Sequence, residues 1–161
     1  MPRIQVSSPV RALPVARVSC RHVALLILCG VGLVLAACLP SMAPFDPVSL
    51  EMAQTLKKES MTLIGKATDP PNLHMDAITQ VQKKLQDALN YEAAKVTPNE
   101  IAVRQWKLLG DPGRNLLGGF LKKWQDEKVG RSPTFLTNVK SLVSRAFDEI
   151  IQTENQKPKQ P

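Results

Sequence analysis

The chain has 161 residues and a net charge of +7, with 21 lysines and arginines against 14 aspartates and glutamates, which suits one ordinary domain with short appendages. The excess charge resembles a nucleic-acid footprint only until it is located. Arg3, Arg11, Arg17 and Arg21 all precede Val23, and no acidic residue occurs before Asp46, so from Cys38 onward 17 basic residues face 14 acidic ones. The body is mildly basic, and nucleic acid is not an expected partner. All three cysteines, Cys20, Cys29 and Cys38, lie in the same N-terminal quarter. Removal of the first 37 residues leaves Cys38 alone, which excludes an intramolecular disulfide or a cysteine-rich zinc site in the remainder.

The first element in chain order is a basic stretch ending in Cys20-Arg21-His22, followed by the uncharged run VALLILCGVGLVLAA from Val23 to Ala37. A positive start, an apolar middle and small residues at the exit make the three-part form of a secretory leader. The apolar run is shorter than the roughly 17–20 residues a spanning helix needs, and Pro40 stops its extension, so cleavage is expected. Leu35-Ala36-Ala37-Cys38 resembles the lipobox of bacterial lipoproteins. The resemblance implies cleavage before Cys38, a diacylglycerol on its thiol and an acyl chain on the new amino terminus, with no other cofactor. Two or more acyl chains make membrane anchoring stable where one does not. The residue after the cysteine is Leu39, not aspartate, which within this class implies the inner leaflet of the outer membrane, facing the periplasm.

Residues 38–45 contain Pro40 and Pro44 and read as a short stiff tether. A helical body is expected over residues 46–152. Its starts are punctuated by Asp46-Pro47, Thr97-Pro98, Asp111-Pro112 and Ser132-Pro133, each an oxygen-bearing cap followed by a proline suited to the first turn. Thr97-Pro98-Asn99-Glu100 also fits a capping box, and a fifth start near Asn72 follows Pro70-Pro71. Apolar residues recur at helical spacing in the first helix (Met52, Ala53, Leu56, Leu63, Ile64, Ala67) and the second (Ile78, Val81, Leu85, Ala88, Leu89, Val96). The last helix shows the same spacing (Phe135, Val139, Leu142, Val143, Ala146, Ile150). Two shorter helices, Pro98 to about Leu109 and Pro112 to about Val129, are expected to stop at Gly110 and Gly130. The fold class is therefore all-α, a compact bundle of about five helices, and the polar residues 153–161 are expected to be disordered.

His74, the sole histidine after Cys38, has Asp76 two positions away, and residues two apart on a helix diverge, so no metal site is expected. Asp126-Glu127 and Asp148-Glu149 read as solvated surface, as do the dispersed pairs Lys57-Lys58, Lys83-Lys84 and Lys122-Lys123. The segment around Gly118, Gly119, Phe120 and Trp124 is the most informative. Two glycines within a helix cost about 1 kcal/mol each relative to alanine. Either a neighbour packs closely against them or they floor a groove. Together with Trp106 these residues form the candidate interaction surface. The expectation is a lipid-anchored, periplasm-facing, non-enzymatic module binding an envelope protein; the alternative is a carrier of a small apolar ligand or lipid in a cavity near Gly118 and Gly119.

Overall fold

The computed structural model describes residues 43–97 and 99–159. Leu35, Ala36, Ala37 and Cys38, the residues that resemble a lipobox, lie outside them. Five α-helices and one 3-10 turn account for most of the described chain: α1 (Pro47–Gly65), a 3-10 turn (Pro71–His74), α2 (Met75–Ala93), α3 (Glu100–Gly110), α4 (Leu117–Glu127) and α5 (Pro133–Gln156). The fold is all-α, with no strand among the described residues.

Asp46 ends the extended lead-in and caps α1, accepting a hydrogen bond from the Val48 amide at 2.9 Å, with Pro47 in the first turn. Ser132 and Pro133 do the same for α5, where the Ser132 hydroxyl accepts from the Phe135 amide at 3.3 Å. The chain runs away from Asp46 along α1, returns along α2, departs again through α3 and α4 in succession, and returns along α5. This is a four-legged antiparallel bundle with its third leg broken. The legs enclose one core whose largest fully buried side chains include Trp106, Trp124, Phe147, Ile64, Ile78 and Leu109. Trp106 meets Phe147 edge to face, with centroids 6.1 Å apart.

Several local expectations are corrected. Asp111-Pro112 does not start a helix: Asp111 accepts from the Gly113 amide at 2.8 Å, an Asx turn, and α4 begins only at Leu117. Its stop is Lys128, in the left-handed conformation at φ 57°, rather than Gly130. Gly130 serves a different end, since a Cβ there would lie 1.9 Å from the Thr68 carbonyl oxygen. The buried face of α5 keeps Val143 and Ile150 of the expected stripe, with Val139 and Ala146 packed against the core, but adds Leu136 and Phe147 and leaves Phe135 and Leu142 exposed. Val96 lies beyond α2 and is fully exposed.

The segment expected as a disordered tail also differs. Helix α5 continues to Gln156, Glu154 and Lys157 are buried, and the Pro158 carbonyl accepts from the Phe45 amide at 2.9 Å. Polar composition misleads here because these residues bury their charge in pairs rather than presenting it to water.

Candidate functional site

The most unusual chemistry lies where the two ends of the described chain meet. At this end of the bundle the start of α1, the end of α2, the α2–α3 turn and the last turn of α5 enclose a polar network. Glu92 has a fully buried side chain. One of its carboxylate oxygens accepts from the Ser49 hydroxyl and from Lys95 Nζ at 3.0 Å, and the other accepts from the Asn99 side-chain amide. Lys95 Nζ also donates to Ser49 Oγ at 2.6 Å and pairs with Asp46 at 3.1 Å. The Tyr91 hydroxyl donates to Asp46 at 2.8 Å. Lys157, buried in turn, lies 2.5 Å from Glu154 and 3.8 Å from Glu92.

Three carboxylates, Asp46, Glu92 and Glu154, thus face two ammonium groups. The balance of environments distinguishes them. Burial opposes ionisation of Asp46, but hydrogen bonds from Tyr91, Lys95 and the Val48 amide outweigh it and hold its pKa at about 2. Glu154 is pushed upward by burial, with Lys157 only partly offsetting the effect, and its Oε2 has no hydrogen-bond partner. Glu154 is therefore less suited than Asp46 to hold a negative charge.

A serine hydroxyl 2.6 Å from a lysine ammonium resembles a nucleophile and its base, yet the surroundings oppose that use. Burial draws the Lys95 pKa down, but the Glu92 and Asp46 carboxylates more than reverse this and raise it, so Lys95 keeps its proton. Ser49 is itself almost fully buried. The arrangement is suited to clamping three chain segments together. Sequence reasoning missed it because the participants are scattered through the chain and each reads separately as a surface residue. The signal available was the density of ionisable residues in YEAAK, from Tyr91 to Lys95, beside a predicted helix end.

The residues expected to form an interaction surface are instead interior. Phe120, Trp124 and Trp106 are at most 5% exposed, and Gly118 and Gly119 are also buried. The physical reason is the turn between α3 and α4, which folds back onto the start of α4. A Cβ on Gly118 would stand 2.1 Å from the Gly110 carbonyl oxygen, and one on Gly119 would stand 1.7 Å from that of Arg114. The two glycines therefore admit a backbone, not a ligand. Trp124 is fixed by its indole N–H, which donates to the Asp69 carbonyl at 3.1 Å, and by ring packing against Phe120. Gly118 and Trp106 do border an open groove between α2 and α3 that also includes Leu85, Leu89 and Pro112.

His74 is held by Asp69 at 3.1 Å and lies 5.8 Å from the Trp124 ring, so its carboxylate partner is not Asp76. Among the described residues no group of three or more His, Cys, Asp or Glu side chains is arranged to hold a metal. No helix among them is long and apolar enough to cross a membrane. Asp126, Glu127 and Asp148 are exposed and pair with Lys122, Arg131 and Lys57. Compared with known proteins, the chain matches no family model, no curated protein and no solved structure.

Proposed function

We propose that the chain is a bacterial lipoprotein, cleaved after Ala37 and carrying a diacylglycerol and an N-acyl chain on Cys38. In this reading it is held at the periplasmic face of the outer membrane, where its bundle binds an envelope protein without catalysing a reaction. The observation that carries the reading is the placement of features along the bundle. The chain emerges from the lipobox side at Asp46, whereas Leu73, Met75, Val129 and Phe135, all more than 40% exposed, lie toward the opposite end. Apolar side chains held away from an anchor suit contact with a partner.

Intact mass of the membrane-extracted protein, beside Cys38→Ser, tests the anchor. Loss of residues 1–37 with added acyl mass, both abolished by the substitution, is expected; an unmodified full-length mass would overturn it. A photo-crosslinking residue at Val129 tests the partner surface, with one at exposed Lys83 on mid-α2 as control. A discrete protein adduct from position 129 alone is expected, and equal adducts from both positions would count against the surface. The groove between α2 and α3 supports a second reading, a carrier of a small apolar ligand. A fluorescent fatty acid that binds the protein and is displaced by Leu89→Trp would favour the carrier.

A further inference from the structure

The end of the bundle where the chain begins shows an unusual division of polarity. Its carboxylates Asp46, Glu92 and Glu154 are drawn into the network, with Lys95 and Lys157 turned inward to meet them. What remains outside is largely apolar. Pro44, Phe45, Tyr91, Ala94 and Val96 border a shallow open groove, which the paired Asp46 and Lys95 also line. Val96, at the tip of the α2–α3 turn, is 101% exposed, as open as a side chain can be. Lys159 places its ammonium 5.7 Å from the centre of the Phe45 ring. The exposed carboxylate nearest in sequence to this turn is Glu100, at the start of α3.

Chain length fixes how far this face can stand from the anchor. Ala43 lies five residue steps after Cys38, with Leu39 to Met42 between them, and a fully extended chain spans at most about 3.3–3.6 Å per residue, hence about 17 Å. The headgroup layer on each side of a bilayer is roughly 5–8 Å thick. The tether is therefore too short to hold this end far from the surface to which Cys38 is attached. Aromatic rings, small apolar side chains and lysines whose stems lie along apolar surface are the groups that settle at such an interface.

We propose that this end of the bundle lies against the headgroup layer of the bilayer, with the Ala94–Thr97 turn penetrating it through Val96 and with Phe45 and Lys159 beside it. Of the three carboxylates at this end, Glu92 and Glu154 are buried away from the bilayer, and the partly exposed Asp46 is paired with Lys95, which weakens the repulsion from anionic lipids. The proposal rests on acylation of Cys38 and adds an orientation to it.

The test uses the full chain, expressed with its own leader, extracted with its acyl chains and placed in vesicles of phosphatidylethanolamine and phosphatidylglycerol. A nitroxide is attached at Val96→Cys, at Ala94→Cys or, as control, at Leu73→Cys at the far end. Collision of each label with oxygen, which concentrates in lipid, is compared with collision with a water-soluble nickel complex. A severalfold higher oxygen-to-nickel ratio at positions 96 and 94 than at 73 is expected. Adding Val96→Asp to the Ala94-labelled chain should pull that ratio back toward the Leu73 value. Ratios that match at 96 and 73 overturn the docking while leaving the anchor intact, and so does an unchanged Ala94 ratio with Val96→Asp. Shielding of position 96 from both reagents would show a protein, not lipid, covering this face, and would also overturn it. Intact mass on the same samples separates the two readings, because a free Cys38 thiol removes the anchor and the docking together.

Discussion

Gly118 and Gly119 illustrate a residue's value lying in what it lacks. In an ordinary helix interior, alanine would be about 0.5–1 kcal/mol better than glycine. Here a methyl group would collide with a backbone carbonyl, that of Gly110 at the end of α3 or that of Arg114 in the following turn, and backbone cannot swing aside as a side chain can. Gly118→Ala and Gly119→Ala should therefore each destabilise the fold by about 1–3 kcal/mol in urea titrations. Gly65 provides the contrast, because the methyl group would meet only the flexible end of Lys140 at 3.1 Å, and Gly65→Ala should be neutral or gain about 0.5 kcal/mol. Lys157 shows the opposite dependence, on what is present. Lys157→Ala leaves the buried Glu92 with a weaker counter-charge and Glu154 with none of its own, and should cost about 3–5 kcal/mol.

At the scale of elements, the sequence reading succeeded where local chemistry acted alone. Asp46 and Ser132 cap α1 and α5 as expected because their side-chain oxygens have amides of the following turn within reach. It failed where a distant residue competed. Asn99 stands at the cap position of α3, but its side chain is taken by Glu92, so the expected capping box from Thr97 gives way to a helix beginning at Glu100. On α5 the expected stripe held at Val143 and Ile150 but wrongly took in Phe135 and Leu142, which are apolar yet exposed, and single exposed apolar residues carry no marker in sequence. The buried aromatic residues of the candidate surface were legible as apolar, though only the backbone approach at the glycines shows that they are interior. Two measurements bear on these elements. Ser132→Ala should cost about 0.5–2 kcal/mol through loss of the α5 cap. Truncation after Gln152, harmless if the remaining residues were a loose tail, should destabilise at least as much as Lys157→Ala.

For the whole molecule, the network makes stability depend on pH with two opposed signs. Asp46 ionises in the folded state at about 2, below its ordinary value of 3.8. The folded state thus binds that proton more weakly than the unfolded chain, and the stabilisation is complete above about pH 4 and lost as pH falls through about 2. Glu154, raised by burial, acts the other way: its folded-state proton is held more tightly, so stability is gained as the carboxyl protonates and lost as pH rises through its raised pKa. Equilibrium unfolding of wild type and Asp46→Asn should differ fully above pH 4 and converge toward pH 2. The same network has a bearing on the order of assembly. It draws on the start, the middle and the final turn of the body. Helices α1 to α4 can collapse while Glu92 still awaits Lys157, so the bundle remains unsealed at the Asp46 end until the last turn of α5 docks. A chain cut short by a few residues would then be recognisable to a protease by an opening at that end.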